Sequence, residues 1–526
     1  MGYLVIGLLF VILVSEGVGQ GLFHLLGYKP KYTCYAAPYG VAAIFCLLEL
    51  LYLPVLVTHG SFRTVQVVSM IVVSLCMVPF LMSLKDTMKT IFRARTLYIL
   101  GATLLMAWIF YQYGLPHMID DLSLQNMASY VYSDALKLEQ MPLQGYQLFG
   151  TLIFWLGNLH PMKVVLFLSL FTTTIGMMMS LNFVDSFQLP NPWFRFTLIF
   201  FSLFYVPFYS FKIVDAFHAT NWRLLWIGLL LYTAYTWLKD HDEKIKYLIP
   251  VVIGAGLFVH QSFLMIGIEV VYCIMIYLFK IQKIRALYDI CTFLSPICLY
   301  IACLVGLKLP VLGWLLGIVA LLFYIFRNKK KFYLLCIQVE DFCIAHNKKV
   351  FMIAIPAIFL IGTFIMRWFI NGYGMEYSAY INYFSHHSVA GFLFPKGNII
   401  DIVMDVFRWG GVIVFAIKAY RDEDRLLKYI CVCMIVFFVN PLCTGMLVEI
   451  TGVEAYASAF EILFNPFTDI VVFIAIYHMF EWTVIGQWVL ELCLVFAVLF
   501  GHITSYQGLS MGLYSGLVNP TEEVTQ

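Results

Sequence analysis

The sequence predicts an all-α fold: a polytopic bundle of about sixteen transmembrane helices, with an outer-face loop that carries short interfacial helices. Three observations lead there. Of the 526 residues, 62% are hydrophobic and only 12% are charged, against roughly 25% charged in a soluble domain. Apolar runs near the ~20 residues that a helical span requires recur along the whole chain. Those runs are continuous, without the period-two alternation of an outer-membrane barrel. The formal charge of +2 carries no message, and no basic block suggests a nucleic-acid partner.

In chain order the expected spans are 2–24, 36–58, 64–84, 96–112, 162–182, 194–211, 222–238, 247–260, 262–279, 287–305, 309–326, 350–370, 398–418, 429–447, 466–480 and 483–502. The first 25 residues lack a basic leader and carry Glu16 inside the apolar run. They read as a retained helix rather than a cleaved signal. Lys and Arg concentrate in loops on the cytoplasmic side of a membrane. By that rule the loop 85–95, with Lys85, Lys89, Arg93 and Arg95, lies inside, as do 280–285 and 327–349. Loop 113–145 holds Asp120, Asp121, Asp134 and Glu139 against Lys137 alone and is placed outside.

Parity then constrains one segment. Counting 147–159 as a crossing gives an even number of passes between the outside loop and the inside loop at 280–285, which is impossible. At about 13 residues it is short for a crossing and suits an interfacial or re-entrant element. The outer loop therefore runs over 113–161, and both termini fall outside. The outer face also collects 212–221, the turn at 259–262, 371–397 and 448–465.

Cysteines stand singly in apolar segments, as at Cys46, Cys76, Cys298 and Cys493, and Cys431 and Cys433 sit within a span. They read as small packing residues. The outer loops hold most of the residues that could carry chemistry. Asp120 and Asp121 are adjacent carboxylates just beyond a span. Such a pair can act as a general base on a hydroxyl, bind a divalent cation such as Mg or Mn, or simply be a solvated acidic loop. In 212–223, Lys212, His218 and Arg223 suit a lipid phosphate through charge-assisted hydrogen bonds, or a belt of snorkelling cations. His260 and Gln261 occupy a turn too tight for an ordinary solvated loop, so they face a wet cavity or pack in the interior.

Farther on, Asp401, Asp405 and Arg408 share one helix face at i, i+4 and i+7. That face should point into the bundle, where the residues either form an internal salt bridge or serve a site. His386 and His387 lack an evident third ligand for zinc. The segment 440–461 adds Glu449, Glu454 and Tyr456 without one basic residue, suited either to hydroxyls of a sugar acceptor or to solvent.

A span ending outside is followed by the acidic pair and a short helix (SLQNMASYVYSDAL). An apolar interfacial stretch (GYQLFGTLIFWLGNLHP) and another span come next. This order resembles the first outer loop of the GT-C superfamily of integral-membrane glycosyltransferases, over residues 96–280 in layout. Three spans precede it, and the family's Tyr-Pro-Pro run is absent. The resemblance implies that Asp120 or Asp121 is the catalytic carboxylate and that the donor is a polyprenyl-phosphate sugar. A glycan, lipid or protein acceptor would lie at the outer face of a cell membrane, taken as a bacterial plasma membrane. It divides the chain into N-terminal helices 1–95, a catalytic module 96–280 and C-terminal helices 281–526. Lys212, His218, Arg223, His260 and Arg408 would hold the donor phosphate, and Glu449, Glu454 and Tyr456 the acceptor. No glycine-rich nucleotide motif follows a strand anywhere.

Rival readings stay open. A surface-polysaccharide polymerase or ligase would place catalytic Arg in a late outer loop, and 371–397 contains none. A transporter or lipid flippase would use Asp401, Asp405 and Arg408 as coupling residues. A membrane assembly factor would need no chemistry at all.

Overall fold

The computed structural model describes residues 2–31, 34–57, 60–113, 145–157, 161–204, 219–240, 243–259, 263–281, 285–308, 310–357, 399–423, 425–434, 465–479 and 483–500. All regular structure among them is helical. The first helices are α1 (Gly2–Leu26), α2 (Ala37–Val57), α3 (Phe62–Met82), α4 (Leu84–Ile91) and α5 (Ala94–Tyr113). Next come α6 (Gly145–Gly157), α7 (Pro161–Asp185), α8 (Pro192–Phe204), α9 (Ala219–Asp240) and α10 (Ile249–Val259), the last entered through a short 3₁₀ turn at Ile245–Leu248. Then follow α11 (Phe263–Lys280), α12 (Ala286–Lys308), α13 (Pro310–Phe326) and α14 (Lys330–Ala345). The last are α15 (Ile399–Arg421), α16 (Arg425–Met434), α17 (Pro466–Met479) and α18 (Val484–Phe500).

Five of these helices are long and apolar enough to cross a membrane, and a sixth span arises if α13 and α14 are taken together across their 98° bend. The other apolar helices are shorter, among them Pro192–Leu203 and Ile245–Val259. The chain is thus an all-helical protein with the helices of a membrane protein, and its count of full-length spans is well below sixteen among the described residues. Two segments expected as loops, 85–95 and 327–349, instead contain helices α4 and α14. Both are amphipathic and charged, so they lack the long apolar run by which a span is recognised.

Membrane helices gain little from hydrophobic association with one another, so small residues and hydrogen bonds must hold them together. The α1–α2 pair shows both devices. A Cβ on Gly40 would overlap the backbone of Ser15, so glycine permits the close crossing. Glu16 is buried on α1 and accepts hydrogen bonds from the Ala37 N–H (2.8 Å) and from Gln20 Nε2 (2.9 Å). Its carboxylate thereby satisfies a donor at the start of α2 that the helix itself cannot satisfy.

Asn182 near the end of α7 clamps the turn before α2. It accepts from the Tyr35 N–H at 2.7 Å and donates to the Tyr35 carbonyl at 2.8 Å. The run Thr172-Thr173-Thr174 is absorbed in the middle of α7, because each hydroxyl donates to the carbonyl four residues back at 2.7–2.8 Å. Thr174 also meets Thr103 of α5 at 2.8 Å. Around these contacts α1, α2, α7, α9 and α10 form the centre of the packing.

Charged contacts gather at one end of that bundle. Asp185 lies 2.5 Å from Arg95 and 3.6 Å from Arg195, and His24 lies 2.9 Å from Asp86. Lys244 donates to the Gly27 carbonyl at 2.7 Å. Lys246 reaches Glu243 at 2.8 Å and Asp289 at 3.3 Å. Glu340 of α14 accepts from the Ala286 N–H that opens α12, at 3.1 Å. The described residues of the basic segments 85–95, 280–285 and 327–349 therefore lie at one end of the fold.

Candidate functional site

At the opposite end lies α6. It is a helix of 13 residues, about 20 Å at 1.5 Å per residue, and so falls short of a ~30 Å hydrocarbon core. Its first eight residues, Gly145–Leu152, are buried, whereas Trp155 and Leu156 near its end are exposed. It wedges between α2, α7 and α10. Gly145 faces the ring of Phe258 so closely that a Cβ would strike it. Phe149 packs 5.4 Å from Phe45 and 5.5 Å from Phe171. Both of those rings also touch Trp222, at 5.1 and 6.2 Å.

This aromatic floor supports the first turns of α9, where Asn221, Trp222 and Arg223 are all buried. A buried guanidinium is costly unless it is engaged or hydrated. It also sits where the helix dipole is already positive. Two sources of positive potential thus coincide near the end of the bundle where α6 is inserted. Tyr146 and Gln147, buried on α6, add hydrogen-bonding capacity on the same side of the fold; their side chains lie 3.3 Å apart. Chemically, such a place suits an anionic oxygen more than a cation.

Of the residues expected to form a site, Arg223 is the one whose side chain is described. Arg408 falls on α15 together with Asp401 and Asp405, as expected for one helix, but their side chains lie outside the described atoms. Asp120, Asp121, Lys212, His218, His260, Glu449, Glu454 and Tyr456 lie outside the described residues, as do His386 and His387. The expected divalent cation rests on Asp120 and Asp121. Among the described residues no three His, Cys, Asp or Glu side chains converge as metal ligands.

Two buried carboxylates were not anticipated from the sequence. Glu49 on α2 and Glu269 on α11 are each about 95% buried, and each has one carboxylate oxygen without a hydrogen-bond partner among the described residues. Both stand on helices packed against α10. Cys46, one turn before Glu49, donates to the Val251 carbonyl at 3.1 Å. Gly267, two residues before Glu269, abuts Ile253. A lone Glu inside an apolar run (FCLLELLY, MIGIEVVY) was the available signal. Ionisable residues within spans are rare and usually functional. Comparison of the chain with known protein families, curated proteins and solved structures finds no match.

Proposed function

We propose that this chain is a multi-pass membrane glycosyltransferase that takes a sugar from a polyprenyl-phosphate donor at the outer face. The observation that carries the reading is the buried Arg223 in the first turns of α9, next to Trp222, which packs on the Phe45 and Phe171 rings that α6 also touches. On this reading the basic end is cytoplasmic, about sixteen segments cross the membrane, and α6 re-enters from outside beneath the loop 113–161. A lipid phosphate lies against Arg223, with Lys212, His218, His260 and Arg408 completing the charge.

The reaction follows from those placements. Asp120 or Asp121 takes the proton of an acceptor hydroxyl, which Glu449, Glu454 and Tyr456 orient. The hydroxyl oxygen attacks the anomeric carbon from the face opposite the phosphate. The new carbon–oxygen bond forms as the bond to the phosphate oxygen breaks, and the phosphate leaves with the electron pair on polyprenyl phosphate. Configuration inverts. A Mg or Mn ion at Asp120 and Asp121 would neutralise charge on the leaving phosphate.

The test is sugar transfer by purified protein in nanodiscs, from a panel of polyprenyl-phosphate hexoses and pentoses. Arg223→Gln is expected to lose about 10²-fold in rate, the scale of one preorganised donor, with partial recovery in Arg223→Lys. Asp120→Asn or Asp121→Asn should cost roughly 10²–10⁴-fold. Full activity in all these variants would remove the reading.

Glu49 and Glu269 favour a second reading, a transporter or lipid flippase in which buried carboxylates couple transport to a cation or proton. Substrate movement in proteoliposomes, abolished by Glu49→Gln and accompanied by no transfer from any donor, would move that reading ahead.

A further inference from the structure

The helix α14 follows α13 after a 98° bend, so it turns from the direction of a span to lie across it. Its sides divide three ways. Phe332, Tyr333, Cys336 and Glu340 face inward: Tyr333 packs edge-on to Tyr288 of α12 at 5.0 Å, and Glu340 caps the start of α12. A second stripe at i, i+4 and i+7, formed by Leu335, Val339 and Phe342, is exposed by 55%, 42% and 60%. Lys330, Gln338 and Asp341 are exposed on a third side, with Leu334 exposed among them. An in-plane interfacial helix has this division, with one face on protein, one in acyl chains and one in water.

Lys329, Lys330 and Lys331 are exposed between the end of α13 and the first turn of α14, where the dipoles of the two helices oppose each other. No carboxylate among the described residues pairs with them. Arg327 beside them is already engaged, donating to Ser295 and stacking 3.9 Å from the Tyr324 ring. Charge left without a carboxylate partner among the described residues complements an external anion. The adjoining apolar stripe makes that anion a lipid headgroup.

We infer that α14 is an in-plane docking surface for anionic phospholipid. Leu335, Val339 and Phe342 enter the acyl region, while Lys329, Lys330 and Lys331 hold headgroup phosphates. The inference needs only that the chain spans a membrane, so it stands or falls independently of the glycosyltransferase reading.

The test is a titration of the full-length detergent-solubilised protein with phosphatidylglycerol and with phosphatidylcholine, read by native mass spectrometry. Lys330→Gln/Lys331→Gln should weaken phosphatidylglycerol binding about 10- to 30-fold and leave phosphatidylcholine unchanged. Lys348→Gln/Lys349→Gln removes the same charge beyond the far end of α14 and should weaken it less than about 3-fold, because screening is nearly complete beyond ~10 Å. Lys330→Arg/Lys331→Arg should bind like the wild type, which separates loss of charge from loss of folding. Equal weakening in the two Gln pairs would show diffuse attraction and overturn the inference, as would no weakening in either. In a cysteine-stripped chain, a spin label at position 339 should be accessible to oxygen and one at 338 to aqueous nickel. Aqueous access at both would also overturn it.

Discussion

Helices α3 and α7 make an instructive pair. Both pass as membrane spans, and α3 is the more apolar of the two, yet only 28% of its span is buried inside the protein against 83% for α7. Apolar content therefore places a helix in the membrane without saying how central it is. The helix at the centre is the one richer in Ser, Thr and Asn: Ser169, Thr172, Thr173, Thr174, Ser180 and Asn182 are all buried on α7. Lipid tails solvate Val67, Ile71, Leu75 and Val78 of α3 as well as another helix could. A hydroxyl or amide, by contrast, must find its partner in the protein or in its own backbone.

The sharpest way to break this contrast is to remove one polar clamp and one apolar side chain. Asn182→Leu orphans the Tyr35 N–H and carbonyl, and should destabilise the folded protein by about 2 kcal/mol. That is the low end for two buried backbone groups, since unfolded helices in lipid find other partners. Leu75→Ala on α3 should change stability by less than about 0.5 kcal/mol. Unfolding in mixed micelles measures both, and equal losses would refute the contrast.

A smaller effect, about 1 kcal/mol, is expected for Glu16→Ala, which removes the side-chain acceptor from the start of α2. The same unfolding assay reads it, and an unchanged midpoint would show that this cap is dispensable.

The smallest effect concerns pH. Burial tends to lower the pKa of Lys246, but the carboxylates of Glu243 and Asp289 outweigh it and hold the value above the ordinary lysine range. A cation whose pKa is raised by folding stabilises fully below its unfolded value and loses that contribution as pH climbs through the folded one. The stabilisation should therefore persist through neutral pH and fade only above about pH 10.4. In Asp289→Asn the folded value rises less, so the alkaline fall in stability should be smaller and end at lower pH.

Much of the helix layout was legible in the sequence. The expected spans 36–58 and 287–305 became Ala37–Val57 and Ala286–Lys308, because a long apolar run bounded by polar or charged residues admits one secondary structure in lipid. The short helix expected at 147–159 is present as Gly145–Gly157; parity and length singled it out before any contact was known. What could not be read was which polar residue meets which partner. Asn182 and Tyr35 are 147 positions apart, and nothing local distinguishes that Asn from a solvated one at a helix end. Helices α4 and α14 carry charged residues that interrupt any continuous apolar run, so nothing in them marks a span. For the site, Arg223 was singled out from its place at a span edge. Glu49 and Glu269 each stand alone in an apolar run, and a lone carboxylate there carries no spacing pattern that names a partner.

The hydrogen bond from the start of α2 to Glu16 also bears on how the chain enters the bilayer during synthesis. Until residues 37 onward emerge, α1 carries a carboxylate in an apolar run without the backbone N–H that later satisfies it, an unfavourable state for a lone helix. The helical hairpin α1–α2, rather than α1 alone, is then the expected unit of insertion. The delay before α1 leaves the insertion machinery should shorten when Glu16 is replaced by Leu, even though the finished bundle loses a cap.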